Sequence, residues 1–182
     1  MIWRLSHRAD PPAVAIADRH YNRQKPGSAQ FLPPGRCVVL LAPGPGLWGP
    51  SYPQAEYVKH AWAGAWVCSI FRREGGDLPA SEMIRQAVAA TRWHYGEPPE
   101  LGMVTFIDRR KVTPYRRRGQ PPIWGRSYML AGFKPVGKTK GELLAFQLAP
   151  EDMPAPLAPL PFQPAEVLRA PVRQQALFGR AA

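Results

Sequence analysis

Ala65–Phe71 (AWVCSIF), Arg72–Trp93 (RREGGDLPASEMIRQAVAATRW) and Met103–Ile107 (MVTFI) decide how this chain is read. The first and third runs are short, apolar and rich in β-branched and aromatic residues, with no alternation of polar positions. Strands buried on both faces have that composition. Between them, Met83, Ile84, Ala87 and Val88 recur at helical spacing, while Glu82, Arg85, Gln86 and Arg92 share the other side. The pattern predicts a helix from Pro79 to about Trp93, begun by Asp77, Pro79 and Glu82, residue types suited to a helix start. Strand, Gly75-Gly76 turn, helix and strand make a βαβ unit. Its strands are parallel, its crossover right-handed, and ligands bind at the carboxyl ends of such strands.

Working outward, Cys37–Leu41 (CVVLL) and Leu143–Leu148 (LLAFQL) read as further strands, and AVAIADRHY (residues 13–21) as one or two helical turns. The expectation is one α/β domain over residues 1–150. The chain has 182 residues and 20.3 kDa, too few for two full domains, and its 45% hydrophobic content is enough for a packed core. Lys and Arg total 24 against 13 Asp and Glu, a net charge of +11. Residues 151–182 hold three Arg and three acids, so the excess lies entirely in the first 150 residues. Such a field favours a polyanionic partner, nucleic acid before a phosphate-bearing cofactor or an anionic membrane; the bland alternative is a merely basic soluble protein.

Cys37 and Cys68 make neither a disulfide framework nor a structural zinc site, and both sit in apolar runs as small hydrophobes. The opening MIWRLSHRADPP has no apolar signal core, and no apolar run approaches the roughly 20 residues of a membrane span. The reading is therefore a protein of a reducing cytoplasm with no membrane partner. Seven prolines between Pro150 and Pro171 exclude helix and central strand there. Residues 151–182 thus form a Pro-rich C-terminal extension, either a semi-rigid linker or a strap across the domain.

The run Arg109–Arg118 (RRKVTPYRRR) places six cations in ten residues directly after the strand ending at Asp108. Arg109, Arg110, Lys111, Arg116, Arg117 and Arg118 are candidates to neutralise DNA phosphates, or else a solvated basic loop. Tyr115 and Trp124 are placed to stack on an extruded base; Trp48, Trp62, Trp66 and Trp93 read as core. His20 is open to three readings: base, metal ligand or helix cap. Ser81, in the first helical turn, suits a backbone cap, and Ser69 a satisfied strand hydroxyl.

Tyr128–Gly137 (YMLAGFKPVG) resembles the C-terminal signature of the GNAT acyltransferase superfamily, in which a Tyr at a helix end stands four residues before a Gly-Phe pair and a strand follows. Tyr128 stands four before Gly132-Phe133, and a strand begins at Lys134–Val136. The upstream elements agree in order over about residues 35–148. The resemblance implies a mixed, splayed central sheet flanked by helices, with acetyl-CoA as cofactor. Its pantetheine arm would lie along the strand holding Cys68 and Ile70. Its diphosphate would sit at Arg72, Arg73, Gly75, Gly76 and Ser81, where an arginine must offset Asp77 and Glu82. Tyr128 would be the general acid.

Within that superfamily, DRHYNRQ (residues 18–24) resembles an early His-Tyr segment of the phage Mom-like DNA-modification branch. This implies that His20, Tyr21, Ser69, Ser81, Asp108 and Tyr128 line one cavity. It also implies catalytic roles for Tyr128, Asp108, His20, Tyr21 and Ser69, and a non-haem iron on His20 and Asp108. Gln174–Phe178 (QQALF) resembles the peptide that docks bacterial proteins on the sliding clamp, or else packs Leu177 and Phe178 on the domain. The expected activity is transfer of an acyl-derived group from acetyl-CoA to a DNA base amine in a bacterial host cell, as in anti-restriction. Its rivals are a conventional N-acetyltransferase acting on a small amine or peptide, and a non-catalytic DNA-binding accessory protein.

Overall fold

Eight strands form one mixed sheet, in a computed structural model that describes residues 1–54, 56, 58 and 60–164. In chain order the elements are β1 (Arg4–Ser6), α1 (Pro11–Asp18), β2 (Arg36–Cys37), β3 (Val39–Ala42), β4 (Gly46–Tyr52) and β5 (Trp66–Arg73). There follow α2 (Ala80–Tyr95), β6 (Met103–Ile107), α3 (Arg126–Leu130), β7 (Lys134–Lys138) and β8 (Leu144–Leu148). Across the sheet the order is β1-β3-β4-β5-β6-β8-β7, with β2 beside β4. Only β5 and β6 run parallel; every other pairing between these strands is antiparallel.

Both sheet faces are covered, which is why the deciding runs show no alternation. Val39, Leu41, Leu47 and Ile70 pack under Ala13, Ile16 and Ala17 of α1. Val38, Leu40, Trp48 and Trp66 face the other way, onto Met83, Ile84, Ala87 and Val88 of α2. Helix α2 starts where expected, with Pro79 just outside it, and ends at Gly96, whose positive φ of 89° suits glycine. The run CVVLL is broken at Val38 into β2 and β3.

Two expectations need correcting. Trp93 is 51% exposed, on the outward side of α2, and Trp62 is half-buried outside both core clusters, so neither is in the core. Strand β4 escaped the sequence reading because Gly46, Gly49 and Pro50 argue against a central strand. Each has a local reason. A Cβ on Gly49 would stand 2.7 Å from both Ile70 and Leu32, and Pro50 sits at a register shift against β5.

The proline-rich segment is a strap through residue 164. Met153 is buried, the Leu157 N–H donates to Ala89 of α2, and Leu160 pairs with the edge of β1 through Trp3 and Leu5. Its prolines leave that sheet edge unable to recruit another strand. The clamp-like peptide Gln174–Phe178 lies outside the described residues. Among the described residues no helix is long and apolar enough to cross a membrane.

Candidate functional site

The parallel strands β5 and β6 pair over only three positions, Trp66 with Met103, Val67 with Val104 and Cys68 with Thr105. Beyond Cys68, β5 follows β4 as far as Arg73, while β6 follows β8 to Ile107. The edges from Ser69 and from Phe106 onward therefore have no sheet partner between them. At the point of parting β5 carries a bulge: Gly49 pairs with Ile70 and Pro50 with Cys68, leaving Ser69 as the extra residue. Bulges often lie beside functional sites, where they re-aim backbone groups.

A slot of about 140 Å³ occupies the gap. Tyr128 reaches its floor from α3, with its hydroxyl 3.5 Å from the Cys68 sulfur. Phe71 and Phe133 hold the ring edge-on, at 6.1 and 5.3 Å between centroids. Burial raises the phenol's pKa well above its ordinary value, and the neighbouring Cys68 adds to the effect. Burial likewise pushes the Cys68 thiol up to about 12, against hydrogen bonds from Tyr128, Thr105 and the Ile70 backbone. Both groups keep their protons at neutral pH. The phenol is thus a proton donor, and the thiol is not a nucleophile.

His20 and Tyr21 close the other side of the gap, one ring against the other at 4.4 Å. The Asn22 N–H donates to His20 Nδ1 at 3.2 Å, and the imidazole also bonds the Phe71 carbonyl on the free edge of β5. Tyr21 donates to the Phe106 carbonyl on β6 at 3.4 Å and meets the Asp108 N–H. One dipeptide thus bridges both strand edges. Burial, helped by the charge of Arg72, lowers the His20 pKa to about 4, so the ring is neutral.

The slot opens into a cleft of about 800 Å³ between β5, β6 and residues 20–35, and His20, Tyr21, Cys68, Ser69 and Ile70 line both. Asp108 lines only the cleft and Tyr128 only the slot, so these two do not share one cavity as expected. Ser81 lines neither cavity, because α2 packs on the far side of the sheet from α1; its place in a common cavity is corrected. The Ser69 hydroxyl shares a hydrogen bond of 2.9 Å with buried Ser51, the satisfied-hydroxyl alternative. Asp108 is held by Arg110 at 2.8 and 3.0 Å and by the Arg110 N–H at 3.0 Å, which lowers its pKa to about 2.

With Asp108 so engaged and His20 Nδ1 accepting from Asn22, the pair does not fit an iron site. Among the described residues no group of three His, Cys, Asp or Glu side chains could hold a metal ion. The slot ends on the half-buried Tyr128 phenol, and the head of α2 carries the Gly75-Gly76 turn. That turn packs on the β3–β4 turn, where a Cβ on Gly44 would lie 2.9 Å from Gly76 Cα. Arg72 is paired with Glu74 at 2.5 Å, Glu74 also takes Arg19 at 2.6 Å, and Arg73 donates to the Gly76 carbonyl.

The basic run after β6 folds back on itself. Tyr115 and Ile123 exchange backbone hydrogen bonds of 2.8 and 2.9 Å, and the exposed Arg116, Arg117 and Arg118 form the tip of this finger. The Trp124 indole N–H donates to the Val112 carbonyl at 3.1 Å, so it braces the finger's base. Arg126 covers one face of the Tyr115 ring at 4.3 Å. Arg109 and Lys111 are exposed, whereas Arg110 is spent on Asp108.

Sequence reasoning missed Arg8, Asn22 and Phe31, which line the cleft. Arg8 sits in no charge run and no motif, and Asn22 and Phe31, within and just after DRHYNRQ, are not marked as cleft residues by any spacing; only the path of residues 19–35 over the sheet brings the latter two there. A scan of protein-family models, a search of curated proteins and a search of solved structures each return no match to this chain.

Proposed function

We propose that the protein is a GNAT-like transferase that moves an acyl-derived group from acetyl-CoA to the amine of a DNA base. The observation that carries this reading is the parting of β5 and β6 above the half-buried Tyr128 phenol, which keeps its proton. Its support from the chain as a whole is the order of elements that the GNAT resemblance implies: strand, glycine turn, helix, parallel strand, then a short helix bearing Tyr128.

Acetyl-CoA, when bound, supplies an acyl group activated as a thioester. In this reading the Gly75-Gly76 turn at the head of α2 takes the diphosphate, with Arg72 and Arg73 exchanging Glu74 and the Gly76 carbonyl for its oxygens, since a helix N-terminus suits an anion. The free edge of β5 at Ser69 and Ile70 orients the pantetheine arm. The Ile70 N–H, which reaches the Cys68 sulfur, is a donor for a developing oxyanion. Tyr128 gives its proton to the departing thiolate. His20, neutral and bonded through both ring nitrogens, keeps the bridging segment in place and acts as neither acid nor metal ligand.

The charge around the cleft favours nucleic acid as acceptor over a free amine. Arg8 and Lys111 line it without a carboxylate partner among the described residues, Arg23 is paired with Asp18, and Asp108, the only acid among its described lining residues, is neutralised by Arg110. A cationic small amine or peptide N-terminus would be repelled there.

The test is thiol release from acetyl-CoA by the purified protein with duplex DNA, single-stranded DNA or simple amines as acceptor. Release should require DNA. Tyr128→Phe should slow it about 10² to 10⁴-fold with the fold intact. Turnover with amines alone would establish the conventional acetyltransferase instead, and no turnover with any acceptor the non-catalytic protein.

A further inference from the structure

Resting on the DNA reading above, we infer that the large cleft seats one extruded nucleotide whose backbone Arg8 and Lys111 grip from opposite walls. The volume, about 800 Å³, exceeds what a base alone needs and lies in the range of pockets that hold a whole nucleotide-sized ligand. Its floor opens into the slot that ends on Tyr128, so a base entering the cleft brings its edge toward the reacting end. A base still stacked in a duplex cannot reach so recessed a floor, so it must leave the stack.

The walls offer what an extruded nucleotide needs. Phe31 on the α1 side and Phe106 on β6 supply flat apolar surface. The carboxamide of Asn22 lies where cleft and slot meet, suited to the donor and acceptor pattern of a base edge.

The cations differ in availability. Arg23 is consumed by Asp18 at 2.6 Å and by the carbonyls of Ser28 and Gln30, so it shapes the loop. Among the described residues the Arg8 side chain hydrogen-bonds only the Gln30 carboxamide, at 3.5 Å, and neither Arg8 nor Lys111 forms a salt bridge, although the charge of Lys111 is felt by Asp108. One comes from the loop before α1 and the other from the base of the finger. The nucleic-acid surface therefore extends beyond the finger to the N-terminal limb, which no run of charge in the sequence marks.

The probe is a duplex with a single 2-aminopurine opposite an abasic site, beside the same duplex fully paired and the single strand. Binding of the intact protein should raise 2-aminopurine fluorescence and should favour the abasic duplex over the paired one. Arg8→Ala and Lys111→Ala should each weaken that binding about tenfold and flatten the slope of log affinity against log salt by about one, with Arg8→Lys restoring the slope. Arg4→Ala, in β1 and bonded to Gln163, should change neither. If Arg8→Ala binds like the parent while alanines at Arg116, Arg117 and Arg118 abolish binding, the cleft assignment is overturned and the DNA reading stands. If the unaltered protein binds none of the three probes, both fall together.

Discussion

Two neighbouring protons set the chemistry at the scale of single residues. The Tyr128 phenol and Cys68 thiol touch at 3.5 Å, and burial keeps both protonated, so the pair gives one donor and no nucleophile. His20 is the counterpart on the other side of the gap. Its pKa is lowered to about 4, so the unfolded chain binds a proton that the folded chain refuses as pH falls below about 6.5. The neutral ring's contribution is complete above that pH and is lost progressively down to about 4, at a cost of about 3 kcal/mol. Urea unfolding at pH 7 and pH 5 should show a larger drop for the parent than for His20→Gln; equal drops would mean that the imidazole is not buried neutral. None of this was legible in the sequence, where His20 was as readily a base, a ligand or a cap. A hydrogen-bonding partner on another strand leaves no trace in local spacing, and the same holds for Ser51 opposite Ser69.

At the scale of elements, the short helix α3 matters out of proportion to its length because it carries Tyr128. Gly125 starts it at a φ of 69°, and a Cβ there would stand 2.5 to 2.9 Å from the Phe146 ring on β8. Gly125→Ala should therefore cost about 1–3 kcal/mol and push the helix off the sheet. Denaturant midpoints measure the cost. Peptide mass mapping after brief thiol labelling should find Cys68 newly reactive, since it is buried beneath the phenol in the parent. The βαβ unit was legible because its strands are covered on both faces and its helix on one, so burial wrote itself into composition and period. Strand β4 was not, because what it needed was close approach: Gly46 under Met83 and Ala42, Gly49 under Ile70 and Leu32. Glycine chosen for the neighbour's bulk looks, in one dimension, like a turn.

For the whole molecule, the strap and the charge distribution carry the argument. Residues 150–164 pass over α2 and extend the edge of β1, with Met153 as the buried anchor. Met153→Ala should lower stability by about 2–4 kcal/mol in chemical denaturation, as for other buried Met truncations; a change near zero would make the strap an ornament. The excess of cations was plain in the composition, and with it the expectation of a polyanionic partner. What composition could not convey is that Asp108 is silenced by Arg110, or that Arg8 and Lys111 meet across one cleft. The account as a whole stands on base modification at that cleft. Its most direct test is mass spectrometry of the nucleosides in DNA recovered from cells producing the protein. A mass-shifted deoxynucleoside should be present with the parent chain and absent with Tyr128→Phe; ordinary deoxynucleosides alone, with the parent protein soluble and abundant, would contradict it.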